Sequence, residues 1–273
     1  MGDHIGVTLS PVVGERERRL VRVVDARASE VRLSDAVDGH RSEADMDRSV
    51  ERQSPLFAGR TLEFHDEDSG YRFVAASPSA EPDLWSELVS GALTAYRKYG
   101  VEVAIEYDKI IDGGSTTYFF AALDADGVVV GGSRALGPYR SADDAHPMVE
   151  WSDPVHRSAI RRVLGECLPH GLVESKMGWV AAGVPRRRQL SAAVARTTTY
   201  CMELLGARYL VGTAADNALE MWTQCGARII DDIPPCPYPD SRYRTRLLLW
   251  DVRESGSCER TRELEKLLSS EVG

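Results

Sequence analysis

The sequence VPRRRQLSAA at residues 184–193 joins a predicted strand (174–180) to a predicted helix (191–205), and the pattern around it indicates the architecture of the chain. The first N–H groups of a helix lack backbone partners and carry partial positive charge, so they attract anions. The three arginines of this loop add planar donors that suit phosphate groups. The stretch therefore predicts an anion site where a strand ends and a helix begins.

Strand and helix patterns alternate through most of the chain. Gly206 ends the helix that follows the arginine loop. The other elements are predicted from hydrophobic periodicity and turn residues: hairpins at 61–65 with 71–76 and at 118–123 with 128–136, strands at 148–151, 207–213, 228–232 and 244–252, and helices at 82–99, 154–168 and 216–224. This order predicts an α/β fold (α+β mixed) with a central mixed sheet flanked by helices.

Residues 186–191 resemble the acyl-donor motif of the GCN5-related N-acetyltransferase (GNAT) superfamily, which is Q/R-x-x-G-x-G/A at a strand–loop–helix junction. Arg186 takes the first position, and Gln189 and Ser191 replace the two glycines. The resemblance implies that the anion is the pyrophosphate of coenzyme A or the phosphate of a phosphopantetheine arm. The donor-binding residues that it implies are Met177, Trp179, Val180, Arg186, Arg187, Arg188, Gln189, Leu190, Ser191, Ala192 and Trp222.

A second resemblance lies upstream of this motif. Glu106, Asp108 and Asp112 are similar, with one extra residue, to the E-x-D-x-x-D run of the autoinducer synthases and N-acyl amino acid synthases within the superfamily. Arg134 fits the arginine of their G-x-x-R-L hairpin, and Glu174 fits the glutamate of their E-x-x-R-x-x-V element. These five residues are the candidates for catalysis.

The superfamily resemblance implies a splayed pair of strands, in which the central strand at 174–180 diverges from its neighbour. The pantetheine arm then lies in the gap and pairs with the exposed N–H and C=O groups of residues 177–180. The thioester is expected at the mouth of the gap, facing an acceptor amine. Trp222 stands where many members have a tyrosine that protonates the leaving thiolate, and an indole cannot do this.

The chemistry of amine acylation requires a proton acceptor. A free ammonium has a pKa near ~10, or ~8 for an α-amine, and only the neutral amine attacks a thioester. Glu174 is the first candidate for the base, because the strand brings it near the gap. The carboxylates of Glu106, Asp108 and Asp112 come second, and they are equally suited to binding the cationic amine. An N–H near Met177 is expected to stabilise the oxyanion.

Structural roles compete with these interpretations. The three arginines are also consistent with a solvated basic turn, and Glu174 with a structural ion pair to Arg134. Asp108 and Asp112 are also typical of turn residues. Trp222 is more typical of a packing residue than of a catalytic residue.

Composition and charge exclude several other classes of protein. The chain has 273 residues, a formal net charge of −9 and 43% hydrophobic residues, which suits a soluble enzyme and argues against non-specific nucleic-acid binding. No apolar run reaches membrane-spanning length. Five scattered cysteines without a C-x-x-C pair favour reduced thiols in a cytoplasm. No motif predicts a metal.

The sequence divides into a polar extension at residues 1–58, of a composition often found to be partly disordered, and a GNAT-like acyltransferase domain at 59–273. A strand at 21–24 and a helix at 42–52 are predicted in the extension, and a charged helix at 257–270 near the C-terminus.

These patterns predict an N-acyltransferase that moves an acyl group from acyl-CoA or an acyl carrier protein to a small-molecule or peptide amine. The replaced glycines and Trp222 favour an alternative, a GNAT-fold module that binds coenzyme A or a protein partner without turnover. A carrier protein is acidic, so the arginines at 186–188 and 161–162 are candidate landing residues. The sequence leaves open the acceptor amine, the acyl chain length and the oligomeric state.

Overall fold

A computed structural model describes residues 61–255, and the fold is a single eight-stranded sheet with helices on both faces. The strands are β1 (Leu62–Asp66), β2 (Tyr71–Ala76), β3 (Tyr118–Leu123), β4 (Val129–Leu136), β5 (Leu172–Val180), β6 (Tyr209–Ala215), β7 (Arg228–Ile229) and β8 (Thr245–Asp251). The helices are α1 (Pro82–Arg97), α2 (Tyr107–Ile110), α3 (Pro147–Glu150), α4 (Pro154–Cys167), α5 (Arg187–Leu204), α6 (Leu219–Gln224) and α7 (Val252–Ser255). The predicted elements at 21–24, 42–52 and 257–270 lie outside the described residues.

The strand order is β1-β2-β3-β4-β5-β6-β8-β7. Neighbouring strands are antiparallel except for β5 and β6, which run parallel. The predicted mixed sheet flanked by helices is therefore confirmed. Both predicted hairpins form. In the turn between β3 and β4, the side chain of Asp124 accepts hydrogen bonds from the amides of Asp126 (3.0 Å) and Val128 (2.9 Å), and these bonds stabilise the turn.

The apolar residues between the sheet and the helices form three buried clusters, and helices cover both faces of the sheet. Helix α5 packs along one face, where Leu190 and Met202 are fully buried. The opposite face is divided, since α1 covers it around Trp85 and Leu88 while α3 and α4 cover it around Ile160 and Leu164. The boundary between these two halves lies over β5.

Several predicted elements differ from those observed. Residues 148–151 form no strand; residues 148–150 belong to α3, because Pro147 starts a helical turn there, and Trp151 follows the end of that helix. Helix α5 begins at Arg187 rather than at residue 191, and β7 is limited to Arg228–Ile229. Val155, in the first turn of α4, is exposed.

Asp66 joins the edge of the sheet to α5. Its carboxylate accepts a hydrogen bond from the Ser69 amide (2.8 Å) and an ion pair from Arg196. Burial alone works to raise the pKa of Asp66, but the bonds from Ser69 and Arg196 outweigh it and hold that pKa below its usual range.

We expect Asp66→Asn to lower the free energy of unfolding by about 1–3 kcal/mol at neutral pH, because Arg196 loses its buried partner. A lowered folded-state pKa means that this stabilisation is complete above the unfolded-state value of ~3.9 and is lost as the pH falls from that value through the folded-state pKa. Denaturant unfolding at neutral pH and near pH ~3 checks this. Glu67→Gln is the matched control, and a stability difference that persists undiminished in acid would contradict the assignment.

Candidate active site

The parallel strands β5 and β6 pair only at their beginnings. Leu172, Val173 and Glu174 pair with residues 209–211 of β6, whereas β6 continues to pair with β8 along its whole length. The remaining residues of β5, from Ser175 to Val180, have no strand partner on that side within the described chain. This is the splayed pair that the sequence resemblance implied.

A bulge in β5 accompanies the opening. Gly132 of β4 lies opposite Trp179 and Arg134 opposite Lys176, so two residues of β5 face a single residue of β4. Met177, in the bulge, has a φ of 58°, which is uncommon for a residue with a side chain. Such backbone strain persists where the surrounding structure imposes it, and it concentrates at functional sites.

The outer part of the gap is a cleft of about 420 Å³, a size typical of ligand sites. It lies between the end of β5, the start of α5 and helix α6. Its walls include five of the predicted donor-binding residues: Trp179, Val180, Arg187, Ser191 and Trp222.

An inner pocket of about 250 Å³ lies on the opposite face of the sheet from α5, over β5. Tyr96, Val101 and Tyr243 line both cavities, so the two spaces adjoin. Most of the other residues that line the inner pocket come from α3, β5, β6 and the loop before β8, and among them are Glu150, Ser175, Lys176, Met177, Thr213 and Tyr238.

Glu150 is the carboxylate of the inner pocket. Its side chain is 1% exposed, and its Oε1 atom contacts His146 Nδ1 (2.7 Å) and accepts a hydrogen bond from the Thr213 hydroxyl (3.0 Å). Its Oε2 atom is buried and has no hydrogen-bond partner in residues 61–255. A buried carboxylate oxygen without a donor is costly, which is typical of a group kept for binding or catalysis.

The ammonium group of Lys176 also lies near this carboxylate, with its Nζ atom 3.9 Å from Glu150 Oε1. Burial lowers the pKa of Lys176 to about 8, although Glu174 and Glu150 act in the opposite direction. With a pKa of about 8, the lysine is still mostly protonated at neutral pH and acts as a counter-charge to Glu150.

Glu174, the predicted base, lies at the last residue pair before the gap. It is 1% exposed, and its Oε2 atom accepts hydrogen bonds from the Tyr139 hydroxyl (2.6 Å) and the His146 amide (3.0 Å). It lines neither cavity. The geometry gives Glu174 the role of fixing the loop that carries His146.

The predicted carboxylate run is not brought together in the inner pocket. Asp108 and Asp112 are exposed, and Asp112 accepts a hydrogen bond from the Gly114 amide (3.0 Å), which is the alternative role of a turn residue. Glu106 lies in an outer groove with Asp108 and contacts His146 Nε2 through its Oε2 atom (3.1 Å). Burial works to raise the pKa of Glu106, but Lys109 and His146 hold it below its usual range.

Arg134 is buried beneath the site. Its Nη1 atom donates to the hydroxyls of Ser115 (3.2 Å) and Thr116 (3.0 Å), and burial lowers the pKa of its guanidinium. The described residues show no ion pair within 4.0 Å between Arg134 and Glu174. Arg134 therefore fastens the loop before β3 and does not line either cavity.

The arginine loop leads into α5 as predicted. Arg186 caps the helix with a φ of 48°, and the exposed Arg187 donates to the carbonyls of Ala181 (3.2 Å) and Val180 (3.5 Å). No side chain in the described chain caps the start of this helix. Gln189 and Ala192 line neither cavity, and Leu190 is fully buried against the sheet.

Two tryptophans form the walls of the outer cleft. Trp179 fits against Gly91 of α1, where an added Cβ atom would lie 2.3 Å from its ring. Its Nε1 donor is buried without a partner among residues 61–255. Trp222 packs edge-on against Trp250 with ring centroids 6.0 Å apart, which agrees with a packing role.

Sequence reasoning missed Glu150 and His146. The signal was present, since a histidine and a glutamate four residues apart around Pro147 fit one helical turn. Reading residues 148–151 as a strand separated the two side chains and concealed the pair.

Comparisons with known proteins give relatives of unassigned function and solved structures of low similarity. No family model matches the chain. The uncharacterized proteins Rv1356c of Mycobacterium tuberculosis (strain H37Rv) and Mb1391c of Mycobacterium bovis are each 43% identical over 201 residues, which is 74% of this chain and 76% of theirs.

Two solved structures are similar at 16–17% identity. FeeM, an N-acyl amino acid synthase from uncultured soil microbes, has a TM-score of 0.47 and matches 68% of this chain and 94% of its own. The acyl-homoserine-lactone synthase LasI has a TM-score of 0.45 and matches 68% of this chain and 96% of its own. No helix in residues 61–255 is long and apolar enough to cross a membrane.

Proposed function

The chain belongs to the same family as the mycobacterial proteins Rv1356c and Mb1391c, and we propose that it is an N-acyltransferase that moves an acyl group from an acyl thioester to an amine. The observation that carries the proposal is Glu150, a buried carboxylate with an unpartnered oxygen, in a pocket that adjoins the gap between β5 and β6. The sequence resemblance to the acyl-donor motif supports the same activity.

The donor is proposed to enter through the outer cleft. An amide-rich pantetheine arm needs hydrogen-bond partners, and the part of β5 that has no partner on the β6 side is suited to supply N–H and C=O groups. The unpartnered Nε1 donor of Trp179 suits a carbonyl of the same arm. The phosphates of the donor then meet the free N–H groups at the start of α5 and the exposed Arg186 and Arg188.

The acceptor is proposed to occupy the inner pocket. An alkylammonium must lose a proton before it attacks, and the Glu150 carboxylate takes that proton directly or through a water. An N–H of the β5 bulge near Met177 is suited to stabilise the oxyanion of the tetrahedral adduct. The second amine proton leaves with the sulfur, whose thiol has a pKa of about 8.5 and so needs no strong acid. A pocket of about 250 Å³ favours a small amine or a side chain over a bulky acceptor.

We expect the double variant Arg186→Ala/Arg188→Ala to weaken binding of acyl-CoA by about 1–3 kcal/mol, because two charge-assisted contacts to phosphate are lost. Isothermal titration with acetyl-CoA measures this. Arg140→Ala/Arg157→Ala removes the same charge from exposed positions that line neither cavity and is the matched control. Equal affinities in the two double variants would contradict the phosphate site.

Thiol release tests the activity itself. The full chain is incubated with acetyl-CoA, longer acyl-CoA donors or an acyl carrier protein, each with a panel of small amines and peptides, and free thiol is followed together with the mass of the acylated amine. Amine-dependent release supports the transferase, and the preferred thioester identifies the donor. Tight binding of coenzyme A without release from any donor would instead support the module without turnover.

A further inference from the structure

We propose that His146 and Glu106 are positioning residues that connect Glu150 to the surface and let a proton leave the site as the acceptor amine is deprotonated. The inference rests on the proposed acyl transfer, and it adds two residues to which neither the sequence motif nor the cavity lining gives this role. The side chains of Glu150, His146 and Glu106 form one continuous hydrogen-bonded line.

The line is short and has contacts at both ring nitrogens of the histidine. His146 Nδ1 lies 2.7 Å from Glu150 Oε1, and His146 Nε2 lies 3.1 Å from Glu106 Oε2. An imidazole with a carboxylate at each nitrogen is able to receive a proton on one side and release a proton on the other.

Exposure increases along this line. The Glu150 side chain is 1% exposed, that of His146 12% and that of Glu106 25%. Glu150 lines the inner pocket, whereas Glu106 lines the outer groove. The chain of bonds therefore leads from a buried carboxylate to one in contact with solvent.

The backbone holds the histidine in place. The His146 amide donates to Glu174 Oε2 (3.0 Å), and the ring packs edge-on against Tyr238 with centroids 5.8 Å apart. This explains why Glu174 is buried and fully engaged although it does not line the pocket. Glu106 is likewise held with a φ of 52°, in the left-handed region.

Four further charged side chains lie near Glu150, His146 and Glu106. Lys109 pairs with Glu106 Oε1 (2.7 Å) from α2, and Lys176 lies 3.9 Å from Glu150 Oε1 on β5. Glu174 on β5 and the buried Arg134 on β4 complete the set. With these charges fixed, a proton gained by Glu150 is offset most directly by a proton lost from His146.

The proton balance follows from the reaction. Glu150 takes one proton from the bound ammonium, and the imidazolium of His146 gives its Nε2 proton to Glu106, which releases it to solvent. The free amine then forms the C–N bond, the C–S bond breaks, and the second amine proton goes to sulfur. When the product leaves, Glu150 loses its proton to water entering the pocket and His146 regains one through Glu106. One proton is released in each turnover, and nothing is oxidised or reduced.

The kinetic test uses His146→Gln and Glu106→Gln. With an alkylamine acceptor, each is expected to lower kcat by about 10- to 100-fold, less than loss of the base itself, with the KM for acyl-CoA unchanged. Hydroxylamine is already neutral at neutral pH, so with this acceptor both variants are expected to approach the wild-type rate. Glu102→Gln, the same change at an exposed glutamate of the outer groove, is the control and keeps the alkylamine rate. Equal losses with both acceptors would show a merely structural role and overturn the proposal.

A measurement without turnover separates this proposal from the proposed function. Nitrogen-15 NMR of the labelled histidine ring reports the proton and hydrogen bond at each nitrogen. Glu150→Gln is expected to shift the Nδ1 signal and Glu106→Gln the Nε2 signal of His146. If wild type releases no thiol from any donor, the acyl transfer fails. Unmoved ring signals in both variants overturn the line of bonds itself, whether or not the enzyme turns over.

Discussion

Glu150→Gln is expected to lower kcat for amine acylation by about 10²–10⁴-fold, the usual contribution of a general base. The amide retains the shape of the side chain and can still accept the hydrogen bond from Thr213 through its oxygen. It cannot take a proton from an ammonium. The affinity for acyl-CoA is expected to remain unchanged, because the donor is proposed to bind in the outer cleft. Rates from thiol release and affinities from titration give both quantities.

Glu174→Gln is the control for this prediction. It is the same change at a second buried carboxylate, one that lines neither cavity. The carbonyl of a glutamine at this position still accepts from Tyr139 and the His146 amide, so we expect lower stability with most of the rate retained. The opposite order, a large loss at Glu174 and little at Glu150, would make Glu174 the base, as the sequence alone suggested.

Gly178→Leu is expected to close the outer cleft and weaken acyl-CoA binding by at least about tenfold, since overpacking costs about 1–3 kcal/mol. Gly178 lies in β5 at the wall of the cleft, and a Cβ atom there would sit 3.6 Å from the Trp222 ring. A single methyl group thus fits, whereas a leucine side chain must extend into the space proposed for the pantetheine arm.

Two further variants bracket this prediction. Gly178→Ala adds only the methyl group that has room and is expected to bind the donor nearly as well as wild type. Gly165→Leu adds the same large side chain to α4, where nothing lies within 4 Å of the new Cβ atom. Titration with acetyl-CoA compares the affinities of all three proteins. Undiminished binding by Gly178→Leu would place the donor elsewhere.

The sequence predicted the elements whose signals are local. The hairpin of β3 and β4 followed from a run of apolar residues around an Asp-rich turn, and α1 from its apolar face and Pro82. The order of strand, loop and helix around Arg186 was also predicted correctly. The helix starts four residues early because Arg186 adopts a left-handed conformation, which nothing in an arginine signals.

The site depended on signals that are not local. Whether Glu174 or Glu150 reaches the pocket is decided by which strands pair beyond residue 174 and by a bulge at Met177, a residue type with no preference for positive φ. The position of Glu150 also depends on a single helical turn, α3, too short for periodicity to reveal. By contrast, the alternative reading of Asp112 as a turn residue needed only its neighbours, and it is the one observed.

Hydrogen exchange measured by mass spectrometry tests most directly whether the gap between β5 and β6 receives an acyl thioester. The full chain is compared with and without a non-hydrolysable acyl-CoA analogue. We predict slower exchange in the peptides that cover residues 175–180 and 187–190, because the unpaired amides of β5 and of the first turn of α5 gain hydrogen bonds to the ligand. Binding that leaves both segments unprotected, or that protects only other parts of the molecule, would contradict the account.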